Sequence, residues 1–290
     1  MAKRIGFVGL GTMGAPMAGH LLREHGPLTV WNRTRGRALG PWGLENAIVA
    51  PEIATLGAEC EIVFLCVNRT EDVRECLDGL TSGARPGTLF VDHSTIAPSA
   101  AEAMHAELAA KGFRFVDAPV TGGSMGAQKG QLTIFCGGSP SDVSEAIETM
   151  QPYTKRAERV GGPGAGQRMK MANQIAVAGS VLALCECLAF ASHAGLDLVQ
   201  AREMIGGGAG GSWSFENYGP KILARDWTPG FSVKNQRKDL AYCLADAATL
   251  GAAVPGVELV DSLLARLEEA GRGEETTVAL FELLASGRES

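Results

Sequence analysis

The chain has 290 residues, 46% hydrophobic and 20% charged, the balance of a globular protein with room for two domains. A net charge of −6 leaves no overall basic surface and argues against nucleic acid as a partner. Gly6 interrupts the first apolar run too early for a signal peptide, and no run reaches the roughly 18 apolar residues of a membrane span, so no membrane partner is expected. The 7 cysteines form no CxxC pair, their count is odd, and most lie in apolar stretches as buried thiols do, which points to a cytoplasmic location.

The first half alternates short apolar runs with helical stretches. Arg4 to Val8 predicts a strand, followed by a glycine-rich turn and a helix through about Arg23. Leu28 to Trp31, Ile62 to Val67, Leu89 to Asp92, Phe113 to Val116 and Leu132 to Cys136 predict further strands. Ser99 to Lys111 and Ser141 to Met150 have helical spacing between them. Strands alternating with helices imply βαβ units and a mostly parallel, doubly wound sheet.

The character changes after Gly161-Gly162-Pro163-Gly164. Ala165 to about Ala194 reads as one helix rich in Ala, Leu and Met, roughly 45 Å long at 1.5 Å per residue. Leu198 to Ile205, Val233 to Leu250, Val257 to Ala270 and Thr276 to Ala285 are also helical. The expected organisation is an α/β Rossmann domain over residues 1–162 and an all-α domain over 163–290, joined by the long helix.

Gly9-Leu10-Gly11-Thr12-Met13-Gly14 fits G-x-G-x-x-G in its required context, after a strand and opening a helix. Gly9 permits the tight turn, Gly11 lets the backbone approach a pyrophosphate, and Gly14 lets the helix pack closely on the strand. The first helical amides then point at the phosphates. Binders of NAD place Asp or Glu at the end of the second strand to hold the ribose 2′-hydroxyl. This chain has Asn32-Arg33-Thr34-Arg35 there. A neutral Asn32 and a guanidinium able to fork onto a 2′-phosphate favour NADP over NAD, with Arg33 as chief reader and NAD as the weaker cofactor.

Three more segments fall where ligands of open α/β sheets bind, beyond the carboxyl ends of strands. They are Asp92-His93-Ser94-Thr95, the Asp117-Ala118-Pro119-Val120-Thr121-Gly122-Gly123 run, and Gly164 to Asn173. With the glycine loop continuing as Ala15-Pro16-Met17-Ala18, and with Phe231 and Lys238-Asp239-Leu240 near the end, these motifs in this order resemble the β-hydroxyacid dehydrogenase family over nearly the whole chain. That family includes 3-hydroxyisobutyrate dehydrogenases, tartronate semialdehyde (2-hydroxy-3-oxopropionate) reductases and glyoxylate/succinic semialdehyde reductases.

The resemblance implies hydride transfer between a nicotinamide cofactor and a small carboxylate-bearing hydroxy acid or aldehyde. Lys170 is implied as general acid/base, and Thr121, Gly122 and Gly123 as holders of the substrate carboxylate. The residue at 174 is implied at the substrate hydroxyl, with Asn173 beside it as a further substrate residue, and Phe231 and Asp239 as closing the site from the helical domain, of this or a neighbouring subunit. Val67, Thr95 and Lys238 join Gly9 to Gly14 and Asn32 to Thr34 as implied cofactor residues. An ammonium suits the lysine's role because it stabilises charge growing on a carbonyl oxygen and then gives up its proton, which arginine does not.

The chain departs from the family at Thr121, commonly Ser, at His20, often Asn, and at Gln174, usually a second Asn. Gln174 keeps the amide and reaches one methylene further, which bears on substrate identity more than on reaction type. The first two family activities are favoured over glyoxylate/succinic semialdehyde reduction; a cofactor-binding scaffold without turnover is the reading from another class. Members form dimers or tetramers through the helical domain, and the same is implied here. The 5 histidines have no ligand spacing, so no metal is expected. His93 has either a cofactor contact or a structural role, and Trp213 and Phe215 either wall a pocket or fill a core.

Overall fold

The computed structural model describes residues 3–34 and 40–286; Arg35 lies outside the described residues. The chain divides into two compact units, Met1–Lys170 and Met171–Ser290.

The first unit runs β1 (Ile5–Val8), α1 (Gly14–His25), β2 (Leu28–Trp31), β3 (Ile48–Val49), α2 (Ile53–Glu59), β4 (Ile62–Leu65), α3 (Thr70–Thr81), β5 (Leu89–Asp92), α4 (Pro98–Ala110) and β6 (Arg114–Asp117). It continues with β7 (Val120–Thr121), α5 (Gly123–Lys129), β8 (Leu132–Gly137), α6 (Pro140–Met150) and β9 (Thr154–Gly161). Strands β3-β2-β1-β4-β5-β6 lie in that order and pair in parallel, so their carboxyl ends share one edge. The order reverses between β1 and β4, the switch point at which open α/β sheets leave a crevice.

Alternation of side chains explains why both faces are covered. Ile5 and Phe7, Ile62 and Phe64, and Leu89 and Val91 enter one core cluster, whereas Val8, Val63, Leu65, Phe90 and Phe115 enter another. The sheet is mixed at its far side. β8 pairs antiparallel with β6 and β7, and β9 pairs parallel with β8. Strand β9 was not legible as a strand because Lys155, Arg156, Glu158 and Arg159 break its apolar pattern; such charges suit an edge strand.

The second unit is helical. It contains most of α7 (Ala165–His193), a helix of 29 residues that begins in the first unit. Then follow α8 (Leu198–Gly206), α9 (Trp213–Asn217), α10 (Gly219–Leu223), α11 (Val233–Leu250), α12 (Pro255–Glu269) and α13 (Leu280–Ala285). Side-chain oxygens of Asp197, Ser212 and Ser232 accept from backbone N–H groups at the starts of α8, α9 and α11. By length and composition α7 is long and apolar enough to cross a membrane, with a window of mean hydropathy 2.0. This corrects the expectation that no stretch qualifies: Gly179 and Ser180 break a run of apolar letters but scarcely lower its average. Within the second unit, Ala178, Val181, Leu184, Cys185 and Leu188 of α7 pack with Phe215, Leu240, Leu264 and Phe281, so this face of the helix is core.

Candidate active site

The glycine loop turns from β1 into α1. Gly9 has φ +93°, and a Cβ there would lie 2.3 Å from the Cys66 carbonyl oxygen; a Cβ on Gly14 would lie 1.9 Å from the Gly9 oxygen. At Gly11 a Cβ would meet nothing within 4 Å, so the loop presents an open backbone face. Helix α1 has no side-chain cap and no acid in its first turn. Its positive end is therefore uncompensated by protein carboxylates, an arrangement that fits a pyrophosphate. Leu10, Thr12 and Met13 complete the loop.

The neighbouring strand ends are stitched to it. The Gly9 amide donates to Trp31 O (3.0 Å), and the Leu10 amide donates to Asn32 Oδ1 (2.9 Å). Asn32 Nδ2 donates to Thr34 O (3.0 Å). Asn32 thus fixes the loop where an acidic residue would hold a ribose. Arg33 and Thr34 are exposed; the Arg33 guanidinium stands 3.0 Å from Asp72 and 3.9 Å from Glu75. After β4, the Val67 amide donates to Ser94 Oγ (2.9 Å), and half-buried Thr95 follows after β5. Nothing local in the sequence around Ser94 signals that bond.

Half-buried Thr121 ends β7, which its pairing with Thr133 holds against β8. The chain then passes through Gly122 (φ 122°) and Gly123 (φ 63°), a consecutive pair only glycine accommodates easily, into α5. His20 ties α5 to α1. Arg23 donates to its Nδ1 (2.8 Å), so Nε2 carries the proton and donates to Ala127 O and Gln128 O (3.1 Å each).

The start of α7 is held by two buried side chains. Asp117, at the end of β6, accepts from the amides of Gly164 and Gln167 (2.9 Å each). Gly137 and Gly166 make room: a Cβ on either would lie 2.5 Å from an Asp117 oxygen. Burial pushes the Asp117 carboxyl up to about 6 although those amides pull it down. The Gln167 side chain donates to Ser94 O (2.8 Å) and accepts from the Ile96 amide (3.2 Å). Lys170 follows, one turn after Gln167, and is buried. Asp117 and Gln167 lie within sequence motifs that give neither of them a role.

The second unit gathers the remaining candidates except Phe231. On α7, buried Gln174 donates from Nε2 to Asp239 Oδ2 (2.6 Å) and accepts from Asn173 Nδ2 (2.9 Å). On α11, Asp239 Oδ1 faces the Lys238 ammonium at 3.1 Å, and Lys238 stands 5.5 Å from the centre of the Tyr242 ring. Phe231 is half-buried just before α11, its carbonyl accepting from the Thr277 amide (3.1 Å). Phe215 is core, whereas Trp213 is exposed and edge-on to Tyr218.

His93 has a structural role. Buried between strands, it donates from Nδ1 to Ala118 O (2.7 Å), accepts at Nε2 from Tyr153 Oη (2.8 Å) and stacks on Phe64. Burial pushes it down to about 4. Among the described residues no group of three or more His, Cys, Asp or Glu is placed to hold a metal ion.

Comparison with known proteins gives two family models. Residues 4–162 match the NAD binding domain of 6-phosphogluconate dehydrogenase, and residues 164–284 match the NAD-binding domain of NADP-dependent 3-hydroxyisobutyrate dehydrogenase. The Arabidopsis thaliana protein named probable 3-hydroxyisobutyrate dehydrogenase-like 1, mitochondrial, is 38% identical, over 96% of this chain and 84% of its own. The 2-hydroxy-3-oxopropionate reductase of Escherichia coli is 33% identical, over 97% of each chain. The solved structure of Mycobacterium tuberculosis 3-hydroxyisobutyrate dehydrogenase with L-serine matches with TM-score 0.86 at 28% identity, over 98% of this chain and 99% of that one.

Proposed function

The chain belongs to the β-hydroxyacid dehydrogenase family and is an NAD(P)-dependent oxidoreductase acting on CH–OH groups, and from that premise we propose that it interconverts a small β-hydroxy acid and its semialdehyde, with NADP as cofactor and Lys170 as general acid/base. The observation that carries this reading is Lys170 itself: a buried lysine on a helix whose first turn is anchored by Asp117 and Gln167 to the strand ends beside the glycine loop.

Bound nicotinamide supplies or accepts the hydride. In reduction, Lys170 as an ammonium stabilises the charge growing on the carbonyl oxygen and then donates its proton there. In oxidation the neutral amine takes the hydroxyl proton. Thr121 and the amides of Gly122 and Gly123 bind the substrate carboxylate, and Gln174, one turn after Lys170 on the same helix face, meets the substrate hydroxyl with Asn173 beside it. The open turn at Gly11 and the uncapped start of α1 take the pyrophosphate, with Val67 and Thr95 further along the strand ends. Arg33 reads the 2′-phosphate, in competition with Asp72.

The names of the relatives favour 3-hydroxyisobutyrate or tartronate semialdehyde chemistry, ahead of glyoxylate or succinic semialdehyde. We place the enzyme in the cytoplasm, in keeping with seven free thiols, and as a homodimer or homotetramer formed through the second unit, where Phe190, Leu196, Val199 and Met204 are exposed. Light scattering at a monomer's mass overturns the oligomer.

The test is NADPH oxidation with methylmalonate semialdehyde, tartronate semialdehyde, succinic semialdehyde and glyoxylate, with NADH in parallel. Lys170→Ala is expected to lower kcat by about 10²–10⁴ with folding intact. A loss under about tenfold removes the lysine from the chemistry. Tight NADPH binding with no turnover points to a scaffold.

A further inference from the structure

In the first unit, one buried side chain brackets Thr95 from both sides. Gln167, on the first turn of α7, donates from Nε2 to Ser94 O at 2.8 Å and accepts at Oε1 from the Ile96 amide at 3.2 Å. A residue of a parallel strand spans its neighbour in the same way. The direction of the amide is forced, because a carbonyl only accepts and a backbone N–H only donates. The rest of the segment is held from other sides. The Ser94 amide donates to Asp92 Oδ1 (2.9 Å), Ser94 Oγ accepts from the Val67 amide (2.9 Å), and the Ala97 amide donates to Thr70 Oγ1 (3.2 Å). Asp117 in turn holds the backbone of Gln167. Side chains three residues apart leave a helix by one face, so Lys170 rises on the face that Gln167 turns to this segment.

We propose that Gln167 is a positioning residue: its side-chain amide sets the separation between Thr95 and Lys170. This rests on the reading that Lys170 is the general acid/base and that Thr95 lines the nicotinamide end of the cofactor site. In reduction the carbonyl carbon gains the hydride and its oxygen gains the proton. The two transfers act on bonded atoms, so the segment beside the nicotinamide and the turn bearing the lysine have to keep one spacing. An error in that spacing falls on the chemical step. It spares the affinity for the dinucleotide, which the glycine loop and Arg33 carry.

Two substitutions test the clamp, at a temperature where melting curves show all three proteins folded. Gln167→Met keeps the length and removes both hydrogen bonds. Gln167→Glu keeps the shape, and its carboxyl replaces the amide only when protonated, donating to Ser94 O and accepting from Ile96 N–H. In Gln167→Met the single-turnover rate constant for NADPH oxidation should fall by about tenfold to 10²-fold, with Kd for NADPH within about twofold. A residue needed only for folding lowers the amplitude of that turnover and leaves its rate constant unchanged. For Gln167→Glu the rate constant relative to wild type should climb as pH falls and the carboxyl takes up its proton, whereas Gln167→Met shows no recovery. A carboxylate acting through charge alone would keep Lys170 protonated to higher pH and help reduction there, the opposite trend. A wild-type rate constant in Gln167→Met, or two variants that respond alike to pH, overturns the proposal. Absence of turnover by the wild type on any aldehyde counts against the functional reading, and hydrogen exchange in the NADPH-bound protein then decides the clamp. The Ile96 amide should exchange at least about tenfold faster in Gln167→Met, and equal protection in the two proteins overturns it.

Discussion

The carboxylate of Asp117, at the end of a central strand, accepts the backbone N–H of Gln167 at 2.9 Å, one helical turn before Lys170. Sheet and lysine-bearing helix are thereby fastened through a buried carboxylate, beside the bonds of the Gln167 side chain. Asp117→Asn turns one acceptor into a donor facing an N–H group and should re-aim the start of α7. The expected loss in kcat lies between about tenfold and 10²-fold, the scale of small misplacements near reacting atoms. The pH dependence has a definite sign. A carboxyl raised from 3.8 to about 6 on folding favours the folded state at low pH, and that contribution is lost as pH rises through 6. The stability of wild type relative to Asp117→Asn should thus grow from pH 7 to pH 4, by at most about 1.4 kcal/mol per pH unit. A flat difference in urea melts sinks this account.

Arg33 and Asp72 form an exposed ion pair at 3.0 Å, and a cofactor 2′-phosphate would compete for the same guanidinium. Arg33→Asp should raise KM for NADPH by about tenfold or more and leave KM for NADH nearly unchanged. Asp72→Asn should act the other way and tighten NADPH by a fewfold. Equal effects on both cofactors remove Arg33 as the reader.

The His93–Tyr153 bond is structural, so its loss should be felt in stability alone. Tyr153→Phe leaves the buried Nε2 without its donor and should cost about 1–3 kcal/mol. Steady-state kinetics at a temperature where the variant is folded should match wild type. A fall in kcat there would place His93 in the chemistry.

Gln236 on α11 is buried, with both side-chain heteroatoms lacking a hydrogen-bond partner among the described residues. Gln236→Met has similar volume and no amide to desolvate, and should stabilise the protein by about 1–2 kcal/mol in a denaturant melt. A destabilised variant would show that the amide has a partner in solution.

The long-range architecture was legible because it follows from pattern. Leu28–Trp31, Leu89–Asp92 and Val233–Leu250 fall where periodicity puts them, and the helix expected from Ala165 ends at His193. Periodicity does not encode strand sense, so the antiparallel seat of β8 beside β6 was invisible. The last expected helix, Thr276 to Ala285, proves to be a 3₁₀ turn at Thr277–Ala279 followed by a short helix over Leu280–Ala285. At the site, glycine loop and lysine were readable as motifs. The groups that orient them were not: Gln174 finds its partner 65 residues away, and only the packing of α7 on α11 makes that pair.

Burial of Asp117 and His93 within one unit also bears on how the fold exchanges protons with water. Between about pH 4 and pH 6 the folded chain keeps a proton on the carboxyl and none on the imidazole. The unfolded chain does the reverse, with carboxylate bare and imidazole charged. Unfolding across that window moves a proton from one residue type to another with almost no net uptake or release by the pair. Their opposite slopes in stability cancel, and either substitution made alone would expose the slope of the other.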